Sequence, residues 1–114
     1  MPTPGVFAKQ VNVAVAGTGA VTILAASGNA STYRDIVGLS ISTINGAAGT
    51  LTISDGNNIT TLVLNYPNAA AVPGGPLAFN FDPALQQTLP NKAWTITASV
   101  NASGYNVNVQ YTER

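Results

Sequence analysis

The chain has 114 residues, with four basic and four acidic side chains, no His, no Cys and 46% apolar residues. That length suits one domain around a single core, and the apolar content sets it apart from disordered chains, which combine low hydrophobicity with high net charge. Charged residues make up 7% of the chain and cancel, against about 25% in an average soluble protein; this leaves no field for nucleic acid, no polybasic segment for an anionic membrane and, without Cys, no disulfide framework.

The opening MPTPGVFAKQ, residues 1–10, carries Pro2, Pro4 and Gly5 and precedes any strand pattern. It is expected to be an extended arm, either frayed as termini commonly are or docked onto a neighbouring subunit through Phe7. It has neither the basic start nor the continuous apolar segment of a signal peptide, so synthesis in a host cytoplasm and use without export are expected. The domain proper is then residues 11–114.

Eight strand-like runs follow. VNVAV puts Val11, Val13 and Val15 on one face, and AVTILAA does the same for Val21, Ile23 and Ala25. YRDIVGLSISTI comes next, then GTLTISD with Leu51 and Ile53 inward, ITTLVLNY with Leu62, Leu64 and Tyr66 inward, and LAFNF with Leu77, Phe79 and Phe81 inward. The last two runs alternate strictly: Ile96, Ala98 and Val100 oppose Thr95, Thr97 and Ser99, and Tyr105, Val107, Val109 and Tyr111 oppose Asn106, Asn108 and Gln110. No window shows helical spacing of apolar residues. Turn residues at Asn45–Gly49, Asp55–Asn58 and Asn101–Gly104 predict three hairpins. The proline-rich Pro67–Pro76 predicts a crossing between sheets, and Asp82–Asn91 a long connection holding one helical turn, with Asp82 as cap and Pro83 first. The expected fold is all-β: a single-domain two-sheet sandwich of about eight antiparallel strands with jelly-roll or Greek-key topology.

Enzymatic chemistry finds little to stand on, and no cofactor or metal site is expected. Without His there is no Ser–His pair and no His-ligated zinc, and no base stands beside the many Ser and Thr hydroxyls. The carboxylates Asp35, Asp55, Asp82 and Glu113 are scattered. AGTGAV lacks the third glycine and the helix of a dinucleotide fingerprint, and SDGNNIT lacks the acidic ligands of a calcium loop; both read as turns. The triplets at Asn29, Asn58 and Asn101 match a glycosylation pattern that a chain rich in Asn, Ser and Thr produces by chance. The eight aromatics fall mostly on inward phases and form no exposed row, so they read as core.

The polar faces are where the composition speaks. A free small domain usually intersperses charge over its surface and guards strand edges with Lys or a misplaced charge; this chain shows neither device. Some strands also carry apolar residues in both phases: Ile36 and Ile44 oppose Val37, Leu39 and Ile41, and Val63 opposes Leu62 and Leu64. Phe7, Ile36, Ile44 and Val63 are therefore the candidate interface residues, expected to face identical subunits or a larger assembly.

Two segments, ILAASGNASTYRDIVGLSISTINGAAGTLTISDGNNITTLVLNY and LAFNFDPALQQTLPNKAWTITASVNASGYNVNVQYTE, carry a resemblance. Over residues 22–113 the chain resembles the small β-sandwich virion proteins of tailed bacteriophages, with matching positions at Ala25–Asn29, Arg34, Gly56, Phe81–Pro83 and Tyr111. The resemblance implies a capsid decoration, or cement, protein: a homo-oligomer, with a trimer favoured, bound to a major capsid protein or other virion protein on the particle surface. It brings no catalytic residue. The alternative from a different class is a receptor- or glycan-binding module on a phage tail or head fibre.

Overall fold

The computed structural model describes residues 9–42, 49–57, 59–66, 77–100 and 104–114. Eight strands run in order: β1 (Lys9–Val15), β2 (Val21–Leu24), β3 (Arg34–Ile41), β4 (Gly49–Ser54), β5 (Thr60–Tyr66), β6 (Leu77–Leu85), β7 (Trp94–Ala98) and β8 (Tyr105–Glu113). They form two four-stranded sheets, ordered β1-β8-β3-β6 and β2-β7-β4-β5, and every pairing is antiparallel. This interleaving is the eight-stranded jelly-roll connectivity, so the expected all-β sandwich is what forms. β1 begins at Lys9, inside the stretch read as arm; the arm itself, Phe7 and Ile44 lie outside the described residues, as does the side chain of Tyr66.

Alternation builds the core. Trp94, Ile96 and Ala98 from β7 and Leu51 and Ile53 from β4 meet Tyr105, Val107 and Val109 from β8 and Leu39 and Ile41 from β3, all buried. Each fully buried aliphatic or aromatic side chain contributes roughly 1.5–3 kcal/mol, so this layer carries the stability of a chain without disulfides. The edge strands are less covered: Val11, Val13, Leu62, Leu77, Phe79 and Phe81 are only partly buried against it.

Three expectations need correction. Of the three predicted hairpins only Asp55–Asn58 joins paired strands, β4 and β5. β3 and β4, like β7 and β8, belong to opposite sheets, so the connections before β4 and before β8 do not join ladder partners; their turn residues, 45–48 and 101–103, lie outside the described residues. Turn chemistry encodes a reversal; which strand becomes the ladder partner is decided by burial. The second correction concerns Asp82–Pro83: no helical turn forms, and β6 continues through a cis Asp82–Pro83 peptide to Leu85, which pairs with Ile36 and packs on the core. An edge strand tolerates proline because one side of its backbone needs no ladder donor. The third is Ile36. A register shift between Ile36 and Gly38 against both neighbours turns Ile36 inward beside Leu39, where it is fully buried. It has no outer face to offer a partner. The connection from β5 to β6 does pass between sheets, as its prolines predict.

Candidate functional site: a charged end and two uncharged faces

The start of β1, the end of β8 and the connections after β2, β4 and β6 meet at one end of the sandwich. Its centre is Gln87, an uncharged side chain 2% exposed. Its amide nitrogen donates to the carbonyls of Asp55 (3.0 Å) and Lys92 (2.6 Å), and its amide oxygen accepts from the Arg34 backbone N–H at 3.0 Å. Its own backbone N–H donates to Asp35 Oδ1 at 3.0 Å, and its carbonyl accepts from Arg114 Nη2 at 3.1 Å. Arg114 Nε also meets Asp35 Oδ2 at 2.6 Å, with its guanidinium 4.1 Å from the Tyr33 ring centre. Trp94 Nε1 donates to the Arg34 carbonyl at 2.8 Å, so the largest core side chain is anchored here too.

Around this hub stand three further ionised groups, Glu113, Lys9 and Arg34. Glu113 accepts from Lys9 and from Arg34 Nε, the latter at 3.2 Å, while Arg34 Nη1 donates to the Ala25 carbonyl at 2.9 Å. Those hydrogen bonds, Lys9 first and Arg34 second, hold the Glu113 carboxyl below its ordinary value, and the same bond with Glu113 raises Lys9. Burial pushes the Asp55 carboxyl up, but bonds from the Thr88 hydroxyl and from the amides of Asn57, Thr88 and Ile59 outweigh it and leave it lowered. Gly56, at φ +91°, closes the turn against Lys92 and Ala93, whose atoms occupy the space a Cβ would take.

Of the chain's eight charged side chains, Lys9, Arg34, Asp35, Asp55, Glu113 and Arg114 are thus tied together at this end; Lys92, whose carbonyl joins the hub, and Asp82, on β6, are exposed. Of the positions that carry the phage-protein resemblance, Ala25–Asn29, Arg34, Gly56 and Tyr111 lie here as well, and Phe81–Pro83 lie on β6 outside it. Ala25 and Arg34 bond each other, Gly28 N–H donates to Asn91 Oδ1 at 2.9 Å, Gly56 makes the turn, and Tyr111 lies 5.1 Å beneath the Arg34 guanidinium. These contacts tie the strands and loops of this end together. Among the described residues no group of three or more His, Cys, Asp or Glu is placed to hold a metal, and no helix is long and apolar enough to cross a membrane.

The broad faces contrast with this end. On the first sheet, cross-strand rows run Gln10, Gln110, Gly38, Asn80 and Asn12, Asn108, Ser40, Ala78. Asn108 Nδ2 donates to Asn12 Oδ1 at 2.7 Å, and the Gln110 side chain lies over Gly38, where a Cβ would come within 2.5 Å of its Oε1. One amide pair thus bonds across β1 and β8, and Gln110 fills the space that Gly38 leaves open. On the second sheet the rows read Thr22, Thr95, Ser54, Thr60 and Thr97, Thr52, Val63. Neither set of rows contains an ionised group.

Val63, a candidate interface residue, stands at the margin of this face and is 52% exposed. Sequence reasoning missed two further exposed apolar side chains: Leu89 sits in a connection where no alternation marks a face, and Ile59, which heads the run read as a strand, precedes the first residue of β5. It also missed Gln87, an amide in a loop that reads as solvated until Arg34, Asp55 and Lys92 converge on it.

No family model and no curated protein matches the chain. Among solved structures, it is similar to a subunit described under Bacillus endospore appendages that form disulfide-linked pili, at 15% identity, covering 94% of this chain and 88% of that one with a TM-score of 0.50. It is also similar to a chain of the cyanophage Pam1 capsid asymmetric unit, at 20% identity, 98% and 90% coverage and a TM-score of 0.41. The Tobacco streak virus coat protein follows at 16% identity, 88% and 85% coverage and a TM-score of 0.37. The first of these shows a shared sandwich fold.

Proposed function

We propose that the chain is a structural subunit that works covered by other protein, as a virion surface protein of the capsid decoration type. The observation that carries this reading is the segregation of charge: six of eight ionised side chains are paired or hydrogen-bonded at one end, while the residue rows traced across both broad faces are amides, hydroxyls and small apolar groups. A surface with zero net charge and no interspersed Lys or Glu favours association over free diffusion. Binding across several capsid subunits would then sum many weak neutral contacts, self-association into a homo-oligomer would present them together, with the trimer as the arrangement the resemblance implies, and Phe7 in the arm and Ile44 would add to them. Electron microscopy of empty phage heads mixed with the purified protein tests it. Regular occupancy that persists from about 0.05 to about 1 M salt is expected, since neutral contacts are little screened; bare heads, or occupancy lost at high salt, would refute it.

A second reading is a fibre subunit, favoured by the sandwich fold shared with the endospore appendage protein. Those pili are described as disulfide-linked, and a chain without Cys would have to join its subunits by non-covalent contacts alone. Filaments of the purified protein in negative stain would select this reading, and closed particles the first. A glycan-binding tip, which needs exposed aromatic rings, has less support, since Trp94 is fully buried and Phe79 and Phe81 stack on each other, 6.2 Å between centres, against the core.

A further inference from the structure

The four strand edges are not alike. β2 is four residues long and its register shifts between Thr22 and Leu24; β6 carries exposed Asp82 and Pro83 opposite a bulge. Short strands, bulges, charge and proline are the devices that stop an edge from accepting another strand. β1 and β5 lack them. Each is seven residues long without proline. The one charge on β1, Lys9, is at its tip and engaged by Glu113. On β5 the irregularity lies at the start, leaving Leu62–Tyr66 in regular register. Among the described residues no strand lies against the outer edge of either.

Their placement is complementary. β1 ends one sheet and β5 ends the other, and because β1 packs over β2 the two edges lie on opposite sides of the sandwich. Both strands run away from the charged end, so a neighbour in the same orientation brings its β1 alongside β5. We infer that the β5 edge of one copy pairs with the β1 edge of a second copy, joining the β2-β7-β4-β5 sheet of one to the β1-β8-β3-β6 sheet of the next. An exposed backbone edge is recognised by another strand, and among the described residues the unguarded edge of equal length is the subunit's own β1. A single kind of contact then covers both open edges, whereas β5 pairing with β5 would leave β1 bare. Side chains flanking the joint, Ala14, Asn12 and Gln10 on β1 and Val63 and Asn65 on β5, are uncharged, so nothing repels. Such a head-to-tail contact closes into a ring or propagates as a fibre according to its rotation. It deepens the proposed reading of a covered subunit and rests on self-association.

The test uses two substitutions at exposed positions, Val63→Lys and Ala14→Lys, with thermal unfolding to confirm that each variant folds. Light scattering should show the wild type as an oligomer or fibre, each variant alone as a monomer, and an equal mixture of the two as a 1:1 dimer, because each retains the edge the other lacks. A wild-type oligomer unchanged by either substitution would overturn the edge contact while leaving a covered subunit. Loss of association with Val63→Lys but not with Ala14→Lys would also overturn it, as self-pairing of β5. A wild-type monomer would overturn both.

Discussion

The charged end and the neutral faces divide the work of the molecule. At the end, Gln87, Asp35, Asp55 and the two Arg satisfy one another and the loop backbones, so polar groups are consumed in holding strands together. On the faces, rows of Asn, Gln, Ser and Thr run across the strands without ionised groups. The contrast teaches that scarcity of charge here is a matter of location: the chain uses charge where it closes its own fold and withholds it where another protein can lie.

Substitutions should therefore separate into two kinds. The largest effect is expected from Gln87→Ala, which strands the Arg34 amide and two carbonyls in a buried site at about 1–3 kcal/mol per unsatisfied group. A loss of about 3 kcal/mol or more in urea unfolding is expected, with the oligomeric mass of the folded protein unchanged. Gly56→Ala places a Cβ against Ala93 and Lys92 at a positive φ and should cost about 1–3 kcal/mol in the same assay. Acid comes next. Asp55 and Glu113 titrate lower in the fold than when free, so their stabilisation is complete above the ordinary carboxylate value of about 4 and drains as pH falls below it. Melting temperature followed from pH 7 downward should hold until that region and then drop. The smallest effect on stability is expected from Thr97→Lys, on the outer row of the second sheet, within about 0.5 kcal/mol. That variant should instead lose occupancy on phage heads; if it unfolds the protein, or leaves occupancy intact, the division between end and face fails there.

How much of this was legible depends on whether a residue's environment is local. The inward phases of β7 and β8 could be read directly, since Trp94, Ile96 and Ala98, and Tyr105, Val107 and Val109, alternate with polar neighbours and are buried as expected. Ile36 could not, because the bulge that turns it inward is set by its partners on β6 and β8, far away in sequence. Two of the three hairpins failed for a related reason: Asn and Gly mark where a chain reverses, and a jelly roll spends most of its reversals on crossing between sheets. The neutrality of the faces was visible in composition, but the gathering of Arg34, Asp35, Asp55, Glu113 and Arg114 at one end needs the fold.

The most direct test of whether the uncharged surface is covered is the mass of the purified protein at micromolar concentration, measured by light scattering at low and high salt. A mass several times the 11.6 kDa of one chain, the same at both, is the expected result. A particle of 11.6 kDa in either condition would contradict the account.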